Sequence, residues 1–254
     1  MILSEFDNDK EAIINPSHTT SKIENFPKVG ITCFSKQLID VLVETFKGKV
    51  IAEVSTANGI RPIYKIGYKN KEFVLFMSSV GAPACVGIFE EIISMGLEKL
   101  VMFGTCGTLV KEIVDLGIII PTSAIRDEGT SYHYMEASDE VSVNEKYREE
   151  FKEILKRHNY SYVEGKTWTT DAFYRETKAK VSKRKEAGCI CVEMECASMS
   201  AVAKFREVDF FEFFYAADNL DGAVWDKRSL DNEERLTEKE QICYLSLELA
   251  LVIS

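Results

Sequence analysis

The chain is poor in proline, which interrupts helices and strands, and in histidine, which binds metals. Its 254 residues include five prolines and three histidines, with no low-complexity run and no Cys-x-x-Cys pair. No apolar segment reaches the roughly 20 residues that a membrane helix needs, and the N-terminus lacks the basic region and apolar core of a signal peptide. We therefore expect a folded cytoplasmic protein with no membrane span and no structural zinc.

Positive charge is also in deficit. Lys and Arg number 31 against 41 Asp and Glu, which gives a formal net charge of −10. Such a balance argues against binding to nucleic acid or to an anionic membrane, although a small anionic substrate can still bind in a locally positive pocket. The seven cysteines are odd in number and lie mostly in apolar runs, so we expect buried free thiols in a reducing compartment.

The residues that are present predict one α/β domain. Hydrophobic residues make up 46% of the chain, enough for a substantial core. We expect an N-terminal arm over residues 1–27 and a domain over 28–254. Periodicity and turn residues predict strands at 29–33, 50–54, 61–68, 73–77, 100–103, 118–120, 161–169, 189–192 and 208–217. They predict helices from Ser35 to Gly48 and at 84–95, 144–156, 176–186, 196–205 and 237–252.

A first candidate motif is Gly104-Thr105-Cys106-Gly107, which follows the apolar run Leu100 to Phe103. Small residues let backbone N–H groups approach an anion closely, and the threonine hydroxyl adds a donor. The motif predicts an anion-binding turn at a strand end, where ligands of α/β folds gather. The alternative is a tight turn without a ligand.

A second motif is Glu193-Met194-Glu195, at the junction between an apolar run and a helix. Carboxylates are rarely placed beside a buried strand without a partner. One carboxylate can accept both vicinal hydroxyls of a ribose, and Met194 can pack against the sugar. Strand alternation would put Glu193 and Glu195 on one side. The alternative is a helix N-terminus whose acids favour the helix dipole.

Asp218 ends the aromatic run that begins at Phe210. An acid that is shielded from water has a raised pKa and can protonate N7 of a purine as the glycosidic bond breaks. The alternative is a turn or cap aspartate. Phe173 and Tyr174 offer an aromatic face to a base, unless they are simply core residues. His18, in the polar arm, has no function that the local sequence indicates.

Together these motifs resemble the hexameric-type nucleoside phosphorylases, the branch that contains bacterial purine nucleoside phosphorylase and uridine phosphorylase. The resemblance runs from about Pro16 to the C-terminus. It implies a single α/β domain with a mixed, partly barrel-like central β-sheet flanked by helices. It also implies a homo-oligomer of dimers, in the family usually a hexamer.

The resemblance also implies roles for individual residues. Val192, Glu193, Met194 and Glu195 match the ribose-binding segment, in which Glu195 would hold the 2′ and 3′ hydroxyls. Asp218 matches the acid that protonates purine N7, and Lys227 or Arg228 is the nearest candidate for its basic partner. The remaining matches are Cys106 and Gly107 beside the base, Phe173 stacked on it, and His18 of a neighbouring subunit at the ribose 5′ hydroxyl.

On the phosphate side, Gly104 and Thr105 match the family's turn, but the expected arginines are depleted. Lys36 stands where the first arginine is usual and is a point charge, not a two-pronged donor. Met102 stands in place of a second arginine, and Arg61 is a candidate for a third, which the neighbouring subunit would contribute, about two residues out of register. Thr177 and Ala179 replace the uridine-specific pair of glutamine and arginine, which favours a purine.

The function that this resemblance implies is phosphorolysis of a nucleoside, with purine favoured, to free base and pentose 1-phosphate. Inorganic phosphate would be the co-substrate, and no metal or organic cofactor is implied. One alternative is a nucleosidase that hydrolyses the N-glycosidic bond, although Lys36-Gln37-Leu38 lacks the glutamate of that sister family. The other is a family member that binds nucleosides without catalysis.

Overall fold

A computed structural model describes residues 2–231 and 234–254. The strands are β1 (Val29–Cys33), β2 (Lys49–Thr56), β3 (Gly59–Tyr68), β4 (Lys71–Met77), β5 (Lys99–Thr108), β6 (Ile118–Asp127), β7 (Glu140–Ser142), β8 (Tyr162–Thr170), β9 (Cys189–Glu193) and β10 (Asp209–Asn219). The α-helices are α1 (Lys36–Thr45), α2 (Ala82–Met95), α3 (Glu145–Arg157), α4 (Lys178–Glu186), α5 (Cys196–Arg206) and α6 (Leu236–Ile253). Short 3₁₀ turns lie at Ile2–Ser4, Pro16–His18, Thr130–His133 and Phe173–Arg175.

Part of the sheet closes on itself. Its strand order is β10-β6-β8-β9-β5-β1-β4-β3-β2, and β10 also pairs with β5. This parallel β5–β10 ladder runs from Asp209 opposite Lys99 to Asn219 opposite Thr108, and it joins β5, β10, β6, β8 and β9 into a ring. The remaining strands extend from β5 as an open sheet. The predicted single α/β domain with a mixed, partly barrel-like sheet is confirmed.

Strands β5 and β10 are almost wholly apolar because helices cover both of their faces. On one face the rings of Phe103 and Phe213 stack with their centroids 5.7 Å apart, and Phe151 of α3 packs against Phe213 at 4.2 Å. On the other face Met102 and Phe210 pack in a cluster with residues of α2 and α5. The two central strands are therefore held from both sides.

Two strands continue beyond the points where the sequence predicted that they end. The predicted turn at 104–107 is wrong: these residues belong to β5, because they pair along their length with β10. Strand β6 likewise runs on through Pro121 to Asp127. Proline has no N–H to donate, and the register with β8 shifts between Pro121 and Ala124, which accommodates it.

The N-terminal segment, predicted as an arm, lies against the helices. Phe6 packs edge-on against Phe205, with ring centroids 6.2 Å apart, and the Ile23 amide donates to the Met95 carbonyl at 3.0 Å. The boundary between the arm and the domain, expected between residues 27 and 28, stays a prediction. All seven cysteines are buried and free, as predicted. Among the described residues, no helix combines the length and apolarity required to cross a membrane.

Glu212 is a carboxyl group inside this core. It lies on β10 opposite Met102 and is 2% exposed, and its Oε2 atom has no hydrogen-bond partner among the described residues. Burial, followed by the nearby carboxylates of Glu193 and Glu195, raises the pKa of Glu212 well above its ordinary value. The described residues offer Glu212 no ion-pair partner, so the raised pKa favours its protonated form.

The Glu212→Gln variant should therefore make stability less dependent on pH. The folded state keeps a proton that the unfolded chain releases near pH 4.5. In the wild type this group lowers the unfolding free energy by up to about 1.4 kcal/mol for each pH unit above that value. Urea unfolding between about pH 5.5 and pH 8.5 should show the variant gaining on the wild type as pH rises.

Glu153→Gln is the matched control, because that side chain is 63% exposed on α3. This variant should leave the slope of the unfolding free energy against pH unchanged. Equal slopes in the wild type and Glu212→Gln would show that Glu212 ionises in the fold as it does in water.

Candidate active site

A cavity of about 1050 Å³ opens beside the ends of β5, β9 and β10, between helix α4 and the loop that follows β10. Strand ends from three separate parts of the chain reach it, because β5 pairs with both of the other strands. The predicted site residues that line it are Thr105, Cys106, Gly107, Phe173, Val192, Glu193, Met194 and Asp218. Those that do not line it are His18, Lys36, Arg61, Gly104, Glu195 and Arg228.

Asp218 reaches the cavity through an irregularity in the central ladder. The register of β5 and β10 shifts between Ala216 and Asp218, opposite Cys106 and Gly107. A Cβ atom on Gly107 would lie 3.1 Å from Asp218 Oδ1 and 2.5 Å from a methyl group of Leu220. Glycine at this position thus allows the carboxyl group to sit directly against β5.

The partner of Asp218 is an indole. Trp225 Nε1 donates to Asp218 Oδ2 at 2.6 Å, while Trp225 itself is 55% exposed. Burial is the largest influence and raises the pKa of Asp218, whereas the Trp225 bond and the charge of Arg228 act in the opposite direction. Arg228, the predicted basic partner, makes no direct contact with it: its guanidinium donates to the Ile113 carbonyl at 2.8 Å and to Asp226 at 3.3 Å.

Glu193 is bonded at both carboxylate oxygens. Oε1 accepts from the hydroxyls of Thr167 at 3.1 Å and Thr169 at 2.6 Å. Oε2 accepts from the amides of Glu195 and Cys196, both at 2.7 Å. The carboxylate therefore satisfies donors at the start of α5, as the dipole alternative anticipated, and it ties the helix to β8.

Strand alternation would place Glu195 on the side of Glu193 only if β9 continued that far, and it does not. Strand β9 ends at Glu193, and Glu195 is already the first cap of α5. Its Oε1 accepts from the Gly81 amide at 2.5 Å, in the loop before α2, where Gly81 has a φ of +95° that favours glycine. Burial and the charge of Glu193 raise the pKa of Glu195 to about 8.

The predicted phosphate-binding residues are only partly gathered. Thr105 is exposed in the cavity, whereas the backbone of Gly104 lies against the ring of Phe34, where a Cβ would approach within 2.8 Å. Lys36 forms an ion pair with Asp40 at 2.5 Å, away from the cavity. No arginine of the described chain lines the cavity.

Arg61 lies behind the same loop that Glu195 contacts. Its Nη2 donates to Ser79 Oγ at 3.3 Å, and its Nε is buried without a partner among the described residues. The structure thus places Arg61 beside the Ser79-to-Gly81 loop of its own subunit. His18 is exposed on its 3₁₀ turn, and its Nδ1 accepts from the Asn15 amide at 3.3 Å.

Trp225 and Glu176 line the cavity and were not predicted from the sequence. Trp225 follows Asp218 by seven residues, in a loop closed by reciprocal backbone hydrogen bonds between Asn219 and Asp226. The pairing brings the indole back over the strand end. Glu176 directly follows the turn that carries Phe173. The sequence signal that could have identified Glu176 was an acidic residue three positions after Phe173, the candidate base-stacking aromatic.

Comparison with known proteins agrees with this arrangement. A family model described as the phosphorylase superfamily matches residues 28–247. A guanosine phosphorylase of Halorubrum lacusprofundi is 23% identical over 188 residues, which are 74% of this chain and 77% of that protein. A DeoD-type purine nucleoside phosphorylase of Buchnera aphidicola subsp. Schizaphis graminum is 25% identical over 221 residues, 82% of this chain and 90% of that one.

Solved structures share the fold. A purine nucleoside phosphorylase from Toxoplasma gondii, in complex with immucillin-H, superposes with a TM-score of 0.74 at 14% identity, covering 89% of this chain and 90% of that one. A mutant futalosine hydrolase of Helicobacter pylori strain 26695 gives 0.71 at 19% identity, covering 90% of this chain and all of that one. With the family match extending over most of its length, this chain belongs to the phosphorylase superfamily.

Proposed function

We propose that this protein cleaves the N-glycosidic bond of purine nucleosides with inorganic phosphate, giving free base and pentose 1-phosphate. The observation that supports this most is convergence: Thr105, Met194 and Asp218 come from three separate strands or their ends and line one cavity. Phe173 adds an aromatic surface there for a base. Membership of the superfamily supports an enzyme that cleaves nucleosides, and the names of the relatives favour a purine.

Asp218 would be the general acid. As the C–N bond breaks, its electron pair passes into the purine ring, and a proton from Asp218 to N7 neutralises the leaving base. Burial raises the pKa of Asp218, which favours the protonated form that this step needs. Trp225 fixes Oδ2, and Oδ1 accepts no hydrogen bond from the described residues.

The sugar would lie over Met194. Glu195, the next residue in the chain, would accept the ribose hydroxyls, as its match to the family implies. Glu193 would act differently, because its four bonds already hold the start of α5 in place. We assign it to positioning the ribose-binding segment.

Phosphate would attack C1 of a sugar that has oxocarbenium character. The Thr105 hydroxyl is the donor exposed in the cavity, and the unpartnered Nε of Arg61 would supply positive charge near the Ser79-to-Gly81 loop. Gly104 and Lys36 stay predicted members of this site. No cofactor besides phosphate enters the proposal.

Hydrolysis is the second candidate function, and a specific observation favours it. The Phe34 ring lies against Gly104, and Met102 is fully buried where the family usually has an arginine. Apolar side chains thus stand at positions where the resemblance implies phosphate contacts. The fold is shared with a protein named as a futalosine hydrolase, which supports water as an alternative acceptor.

The proposal includes a homo-oligomer built from dimers. His18 lies on an exposed turn and does not line the cavity of its own subunit. Its predicted contact with the ribose 5′ hydroxyl therefore requires a second copy of the chain.

Release of free base should depend on phosphate. We expect guanosine, inosine or adenosine to yield base and ribose 1-phosphate at a rate that rises with phosphate and saturates. The measurement is chromatographic separation of base, ribose and ribose 1-phosphate at several phosphate concentrations. Free ribose formed at a rate independent of phosphate would contradict phosphorolysis and support hydrolysis. Binding of a nucleoside without any product would contradict the proposal that the protein is an enzyme.

Asp218→Asn should lower kcat/KM for purine nucleosides by about 100-fold or more, because N7 loses its proton donor. A riboside with a 4-nitrophenol leaving group needs no protonation, and its rate should fall by less than about tenfold. In the wild type, kcat/KM for purine nucleosides should decline as pH rises through the raised pKa of Asp218, and the variant should lack this decline. Equal slowing of both substrates would take the acid role away from Asp218.

A further inference from the structure

Glu176 is a carboxylate in the cavity to which the proposed chemistry gives no task. It is the residue that ends the 3₁₀ turn Phe173–Arg175, and its amide donates to the Phe173 carbonyl at 3.2 Å. Both side chains line the cavity. One short turn thus presents an aromatic ring and, three residues later, a carboxylate to the same bound molecule.

The carboxylate of Glu176 is half-buried, and it accepts no hydrogen bond from the described part of the chain. Lys180, a cation whose charge acts on Glu176, is already bonded to Asp127 at 3.3 Å, and Arg184 pairs with the same aspartate at 3.0 Å. Burial, with the charge of Asp218 as the second cause, raises the pKa of Glu176 to about 7. A carboxylate that is partly shielded from water and has no hydrogen-bond partner gains from N–H donors of a ligand.

We propose that Glu176 determines base specificity by accepting hydrogen bonds from two adjacent N–H groups of a 2-amino-6-oxopurine. This inference rests on the proposed function. An ionised carboxylate offers two acceptor oxygens and no donor. The edge of guanine presents N1–H and the 2-amino group side by side, so both oxygens are satisfied. Adenine presents a lone pair on N1 beside its 6-amino group, and one carboxylate oxygen would face that lone pair.

The neighbouring residues agree with this choice. Thr177 and Ala179 stand where uridine-specific relatives would carry the glutamine and arginine that bind a pyrimidine. Lys185, a cation that also lines the cavity, is paired with Asp221. Among the charged residues described as lining the cavity, Glu176 is therefore the unpartnered one nearest to Phe173 in sequence.

The test is Glu176→Gln, which keeps the size of the side chain and changes its hydrogen-bonding pattern. Glutamine offers one acceptor and one donor, which complements the edge of adenine and opposes the 2-amino group of guanine. We expect the ratio of kcat/KM for guanosine to that for adenosine to fall by about 100-fold or more, because a mismatched hydrogen-bonding site discriminates strongly. Glu153→Gln, on the outer face of α3, should keep the wild-type ratio.

An unchanged ratio in Glu176→Gln, or a wild-type enzyme that prefers adenosine, would overturn the assignment. Calorimetric binding of free guanine and free adenine separates this failure from failure of the proposed function. If no nucleoside is cleaved, a guanine preference that Glu176→Gln reverses still supports the assignment. Equal affinities of the wild type for guanine and adenine would contradict the assignment of Glu176 to base specificity.

Discussion

The parallel ladder between β5 and β10 is the constraint on which the rest of the molecule depends. It closes part of the sheet into a ring, and its buried aromatic residues pack on both faces. The same ladder carries the register shift at Ala216 and Asp218, beside Gly107. The ladder that closes the ring thus also sets the position of Asp218, because a shift in the pairing moves its carboxyl group relative to the cavity.

Around this ladder the structure buries carboxyl groups that would be more stable in water. Glu193 is compensated by four hydrogen bonds, Glu195 by a bond from Gly81, and Glu212 by remaining protonated. Burying these groups, and placing the charge of Glu193 beside Glu195, is a cost in stability that a core serving only for packing would avoid. Local departures of this kind are expected where a fold builds a site.

The cavity differs in character from one side to the other. The side of the base and the acid is well formed, with Phe173, Trp225 and Asp218 lining it and an indole bonded to the carboxyl group. The side of the acceptor is poor in cations, with Phe34 packed on Gly104. The two reactions that we propose would use the same acid and base-binding side and would differ in the nucleophile, phosphate or water.

The sequence by itself determined the order of the helices and of every strand except the short β7, the single α/β domain, and several segments that line the cavity, because hydrophobic periodicity, caps and turn residues are local signals. It misplaced the ends of β5 and β6, since pairing with β10 and β8 carries those strands through glycines and a proline. Only the tertiary structure decided that Glu193 supports a helix, that Glu195 turns to Gly81, and that Trp225 rather than Arg228 bonds Asp218. Each of these contacts joins a side chain to a donor whose place is set by long-range packing, which no local pattern in the chain records.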